Sequence, residues 1–227
     1  ATVANTNASI NLNNVELDGA IAGTTNYTMT LTGDNKLNDS VGRAQATMNG
    51  GSLIIATNSF ADANASLTAN SGAINLAADN AIANYNINEL TSNANAVYTI
   101  DFDATNKTTD KIVTTAISSG TVTLDALNLT GDFANWDANT KVQIIQNGNS
   151  NSTLQLALSD AIIAQIQGSE YVIGTIDGTR TDETIAAITA WDKNCQTTVV
   201  ADETIYGKIG LATTVTTNDS LGMNESR

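Results

Sequence analysis

The chain of 227 residues contains no histidine and no proline, a single cysteine, and only 4% aromatic residues. Each shortage excludes something. Without histidine there is no Ser-His-Asp triad, no imidazole general base and no histidine-ligated zinc. One cysteine, Cys195, rules out an internal disulfide and a thiolate zinc cluster. It reads as a small half-buried apolar residue, because no imidazole is present to activate the thiol. Few aromatics mean an aliphatic core of Ile, Leu, Val and Ala. Trp136, Tyr171 and Trp191 are read as packing residues rather than sugar platforms. The absence of proline leaves every backbone N–H able to join a hydrogen-bonded ladder.

Positive charge is also scarce. Nine Lys and Arg face 23 Asp and Glu, for a net charge of -14. The chain therefore repels phosphate backbones and has no basic stripe, which argues against nucleic-acid binding. Charged residues amount to only 14%, so solubility rests on Asn, Thr, Ser and Asp, a pattern of secreted surface proteins. The apolar run Ala161-Ile-Ile-Ala164 falls far short of the ~20 residues of a membrane-spanning helix. Ala1-Thr-Val-Ala4 has neither a basic start nor an apolar stretch, so a mature product or an excised fragment is expected, with any membrane anchor outside this chain. There is no Walker-type phosphate loop and no dinucleotide fingerprint.

What the chain does have is short alternating strands. Candidates are Ser9–Leu12, Tyr27–Thr32, Ser52–Ile55, Ala73–Leu76, Tyr85–Asn88, Tyr98–Phe102, Lys111–Thr114, Thr121–Leu124, Val142–Ile145 and Thr153–Leu158. Gly and Asn punctuate them at Gly33-Asp34, Asn49-Gly50-Gly51, Ser71-Gly72, Ser119-Gly120 and Asn147-Gly148. In the first half the strands recur about every twenty residues, the length of one coil of a parallel β-solenoid. Greek-key sandwiches also carry short strands at intervals. The expected class is all-β: a right-handed parallel β-helix, with an antiparallel β-sandwich as the alternative. Parallel ladders over 95–158 should bury Ile100, Phe102, Ile112, Val122 and Leu124.

The second half changes character. Ser159-Asp160 ahead of Ala161–Ile166 suggests a short helical turn capped by Asp160. Ile185, Ile188 and Trp191 share one face at helical spacing, which predicts a short helix near 183–191 behind Thr181-Asp182-Glu183. The expected division is a solenoid over 1–158, a cap-like region over 159–212 and an extended tail or linker over 213–227.

Several constellations bear chemistry. Asp101 and Asp103 lie two apart on a predicted strand and share a face. Such a pair suits acid and base roles in glycoside hydrolysis. With Asp110 it becomes a calcium candidate through hard oxygen ligands. The plain alternative is a solvated polar face opposite Tyr98, Ile100 and Phe102. Asp132 with Asp137 is a second, weaker pair. No calcium-binding nonapeptide repeat is present. Thr28, Thr30 and Thr32 share a strand face, as do Thr121 and Thr123, but the sequence spacing gives no regular array of the kind ice binding requires. Asn-x-Ser/Thr sequons stand at Asn7, Asn26, Asn64, Asn106 and Asn128.

The segment Tyr98-Thr-Ile-Asp-Phe-Asp103, Thr109-Asp-Lys-Ile-Val113 and Ser119-Gly-Thr-Val-Thr-Leu124 resembles the C-terminal part of bacterial autotransporter passenger domains and adhesin-like large exoproteins. The stretch from Tyr206 to Arg227 looks like the approach to the membrane-anchoring barrel of such proteins. The resemblance covers about residues 95–227 and implies a β-helical passenger displayed on the bacterial cell surface, or secreted, without its outer-membrane barrel. The family has no universal catalytic residues, so none is carried over, and no cofactor is expected apart from the calcium candidate above. The expected function is then a non-enzymatic structural or adhesive protein whose partners are copies of itself or host and matrix molecules. A subunit of an extracellular filament or surface layer is the alternative, and a polysaccharide-degrading β-helix enzyme the third.

Overall fold

The computed structural model describes residues 1–5, 7–132, 141–159, 161–162, 171–181, 184–192 and 205–206; at Lys141 and from Tyr171 onward it describes the backbone alone. The elements are all strands apart from a turn of 3-10 helix at Ala77–Asp79 and two helical residues, Ala161 and Ile162. In chain order they are β1 (Thr2–Val3), β2 (Ser9–Asn13), β3 (Glu16–Leu17), β4 (Ala22–Gly23), β5 (Tyr27–Thr32) and β6 (Asp34–Leu37). Next come β7 (Ala44–Ile55), β8 (Ser66–Asn75), β9 (Asn84–Asn86), β10 (Glu89–Asp103), β11 (Thr108–Thr109) and β12 (Lys111–Thr114). The last are β13 (Ser119–Thr130), β14 (Lys141–Asn147), β15 (Thr153–Leu158), β16 (Tyr171–Thr181), β17 (Thr184–Asp192) and β18 (Ile205–Tyr206).

Most neighbours are parallel. The largest sheet runs in the order β15-β13-β10-β8-β7-β5-β2, and each of these pairs is parallel. A second sheet places β9, β12 and β14 side by side, also parallel. Isolated parallel bridges join Ile21 to Val41 and Phe60 to Ile87. The sandwich alternative predicts antiparallel pairing over 95–158; the ladders found there are parallel except for the hairpin of β10 with β11 and the antiparallel pairing of β14 with β17.

Register explains the burial. Successive residues of a strand point to opposite faces. Ile10, Met29, Ala46, Leu67 and Leu90 are direct partners on consecutive strands, and all but Ile10 are fully buried. Leu53, Ile74, Tyr98 and Leu124 form another inward column. Ile100, Phe102, Ile112 and Val122 are buried with them, as the alternation predicts. Full burial of such an aliphatic side chain contributes roughly 1.5–3 kcal/mol, and a column repeats that term at every strand.

Buried polar side chains bind the ladders to one another. Tyr98 donates from its hydroxyl to Ser92 Oγ at 2.9 Å, and Ser92 donates on to the Thr121 carbonyl at 2.7 Å. Burial pushes the Tyr98 phenol up to about 12, which fixes it as a neutral donor. Asn88 donates to the carbonyls of Ala63 and Ala65 and accepts from Thr115 Oγ1. Asn70 donates to Asn49 at 2.8 Å and Asn93 to Asn70 at 2.7 Å, an exposed amide ladder across three strands.

Two expectations are corrected. The Gly-containing breaks at Gly51, Gly72 and Gly120 do not end strands; they lie inside β7, β8 and β13 at positive φ, where the ladders shift register at or beside the bend and then resume. The residues 184–192 form β17, antiparallel to β14 and β16, where helical spacing predicts a helix. Ile185, Ile188 and Thr189 are β-branched and poor helix formers, and the free edge of β14 offers a ladder that outweighs local spacing. That pairing covers an edge that would otherwise be exposed. At 161–162 the chain is helical, and Ser159 Oγ accepts from the N–H groups of Ala161 and Ile162; the expected cap, Asp160, lies outside the described residues. The remainder of that expected turn, Trp136, Asp137, Cys195, the stretch from Gly207 onward and the expected tail over 213–227 lie outside the described residues.

Candidate functional site

The hairpin of β10 with β11 sets the site. Phe102 pairs with Thr109 and Asp103 with Thr108, so the chain after Asp103 folds back and delivers Asp110 against Asp101. Asp110 is fully buried. Its Oδ2 accepts from the Asp101 N–H at 2.7 Å and its Oδ1 from the Ala83 N–H at 2.9 Å. The carboxylate therefore satisfies two backbone donors on separate segments. Desolvation is the chief cause of its pKa rising to about 6; the two N–H groups pull it down, and the charges of Asp101 and Asp79 push it up.

Asp101 is only 4% exposed. The Asn128 amide donates to its Oδ1 and also to Asn80 Oδ1 at 3.0 Å. Asp101 Oδ2 is buried and has no hydrogen-bond partner. Asp103 stands on the same strand face, half-buried, and is held by Asn106 through its N–H at 2.9 Å and its amide at 2.7 Å. These bonds, the N–H first, hold the Asp103 carboxyl below the usual carboxylate range. A recess of about 440 Å³ opens here, with Asn80, Asp101, Asp103, Thr108, Asn128 and Thr130 in its wall. Ile82, an exposed apolar side chain, and Phe102 complete it.

All three sequence candidates thus come to one place, in different roles. Asp101 and Asp103 face the recess. Asp110 lies behind it and is occupied by backbone. Among the described residues, no group of three or more His, Cys, Asp and Glu is arranged to hold a metal ion. Asn80 and Asn128 escape sequence reasoning because they enter the site from 48 residues apart. Asn128 is also the sequon least suited to a glycan, since its amide is bonded to both Asp101 and Asn80.

A second surface feature is the Thr array, which the register makes continuous. Asn11, Thr30, Thr47, Thr68, Thr91, Ser119 and Thr153 are direct partners from β2 to β15. The column faces outward between two buried columns. Only Thr30 of the predicted trio belongs to it; Thr28 is partnered by Ser9 and Gln45 in the neighbouring column. At strand spacing, its hydroxyls recur about every 4.8 Å.

No helix among the described residues is long and apolar enough to cross a membrane. No protein-family model matches the chain, and no curated protein matches it.

Proposed function

We propose that the parallel ladders are successive coils of a right-handed parallel β-helix, and that the protein is a non-enzymatic structural or adhesive scaffold at a bacterial cell surface. The observation that carries this reading is the outward column from Asn11 through Thr30, Thr47, Thr68 and Thr91 to Thr153. It is a long, uncharged, hydroxyl-bearing face on an otherwise acidic molecule. Such a face presents many weak identical contacts, which suits multivalent attachment to a repetitive surface. The right hand follows from the general handedness of parallel crossovers. The resemblance to autotransporter passengers supports surface display, and the structural occupation of Asp110 supports a non-enzymatic reading.

The test is attachment of the purified chain to immobilised glycans and matrix proteins. Replacing Thr47 and Thr68 together by Lys should lower retention on the bound member of the panel at least tenfold, about 1.4 kcal/mol, with an unchanged far-UV spectrum. Retention equal to that of the parent would remove the face from the function. A second reading, a filament or surface-layer subunit, is favoured by β2, which among the described residues pairs on one edge only, with β5. Light scattering and negative-stain microscopy of the same sample separate the two: slender monodisperse particles support the displayed scaffold, and regular filaments or sheets support the subunit.

A further inference from the structure

The recess over Asp101 presents an electrostatic problem that its own residues do not solve. Asp101 is withdrawn from water, one of its oxygens accepts from Asn128, and the other has no donor. A buried carboxylate oxygen without a partner is costly. Asp103 adds a second carboxylate to the wall, and Asp79 and Asp110 stand close enough to act on the same cluster. Among the described residues the one ion pair of the chain is Lys36 with Glu16, on a separate part of the surface. No lysine or arginine pairs with this group there.

A neutral ligand such as a sugar would supply one hydroxyl to Asp101 and leave both charges in place. A cation supplies what the free oxygen lacks and offsets Asp101 and Asp103 together. The remaining donors in the wall are neutral oxygens, namely the Asn80 side-chain carbonyl and the hydroxyls of Thr108 and Thr130. There is no sulfur and no imidazole, which disfavours zinc and copper. A mixed set of carboxylate, amide, hydroxyl and water oxygens at an irregular site suits calcium better than magnesium, which demands a near-ideal octahedron.

We propose that this recess is a calcium site anchored on Asp101 Oδ2, with Asp103 as the second carboxylate and neutral wall oxygens and water completing the shell. Asp110 is not a ligand, because it is fully buried and lies outside the wall of the recess, holding the N–H groups of Asp101 and Ala83. It is a positioning residue that fixes the backbone from which Asp101 projects. The site is independent of the adhesive reading, which rests on the Thr column.

The experiment is titration of calcium chloride into the chelator-treated full chain, followed by calorimetry, with magnesium chloride in parallel. One saturable site is expected, with a Kd of about 0.1–1 mM, the range of extracellular calcium modules, and with weaker binding of magnesium. Asp101→Asn should weaken calcium binding at least tenfold, and Asp125→Asn, outside the recess on β13, should leave it unchanged. No saturable heat from the parent up to about tenfold above that range, or parent-like binding by Asp101→Asn, overturns the proposal. If Asp101→Asn does not fold, Asp103→Asn decides. That residue is on the rim and its loss should weaken binding several-fold, so parent-like binding by it also overturns the site.

Discussion

Replacing Gly51 or Gly120 by alanine is expected to lower the melting temperature by roughly 5–20 °C, whereas Gly19→Ala changes it little. The reason is close approach between successive strands at a bend. A Cβ on Gly51 would sit 2.0 Å from the carbonyl oxygen of Gly33, and one on Gly120 would sit 1.9 Å from that of Ser92. Both obstacles are backbone, so no side chain can swing away. Both glycines also hold positive φ, 73° and 95°, which an L side chain adopts only with strain. Strain and overpacking together cost about 2–6 kcal/mol. Nothing lies within 4 Å of a Cβ on Gly19, which makes it the matched control. Thermal unfolding followed by circular dichroism decides the matter. If the Gly120→Ala protein melts with the parent, the bends are not held by strand-to-strand contact.

The second large effect concerns Asp110. Asp110→Ala leaves the N–H groups of Asp101 and Ala83 without their acceptor, at about 1–3 kcal/mol each. The carboxylate also predicts a pH dependence. Its pKa is about 6 in the folded chain against an ordinary 3.8, so the folded state holds a proton that the unfolded state has released. Its contribution to stability is fully present below the ordinary value and is lost as pH rises through about 6. The parent should thus melt higher at pH 4.5 than at pH 7. Asp110→Asn, which cannot titrate, should flatten that slope while lowering the melting temperature at every pH. Asp103 acts in the opposite sense, because its pKa is depressed. Its contribution is lost only as pH falls below the ordinary carboxylate range, so the two windows do not overlap. A parent whose melting temperature rises from pH 4.5 to 7 would contradict the assignment to Asp110.

Strands carried by large alternating residues were legible in the sequence. Tyr27–Thr32, Lys111–Thr114 and Thr153–Leu158 stand as the pattern predicts, with the same ends. The first half of β7 was not, because its inward positions include Ala44 and Ala46, small residues that carry little hydrophobic signal yet fit where the strands approach closely. The three aspartates could be selected as a group from their spacing along one strand and its return. The separation of Asp110 from the other two could not. Asp110 is drawn under the strand by two backbone donors, and the free oxygen of Asp101 arises from how Asn128 approaches it. Both depend on contacts between distant segments. The Thr column was hidden for a related reason: its members are unevenly spaced in sequence and align only once the register is known.

That uneven spacing has a consequence of its own. Hydrogen bonds between segments that lie side by side span 20 residues at Thr28 to Ala8, 22 at Ser59 to Leu37, 28 at Leu90 to Ser118 and 34 at Ser118 to Ser152. The inward columns pair again after each register shift within β7, β8, β10 and β13, and the rest of the extra chain is taken up in the connections between strands. Lengthening a connection is cheap, about 0.6 kcal/mol for each doubling, and here the increase from one end to the other is less than a doubling. Insertions and deletions at these connections can therefore be tolerated while the aliphatic columns and the hydroxyl face remain as they are. Such a chain can diversify what it shows at its corners without re-solving how it folds.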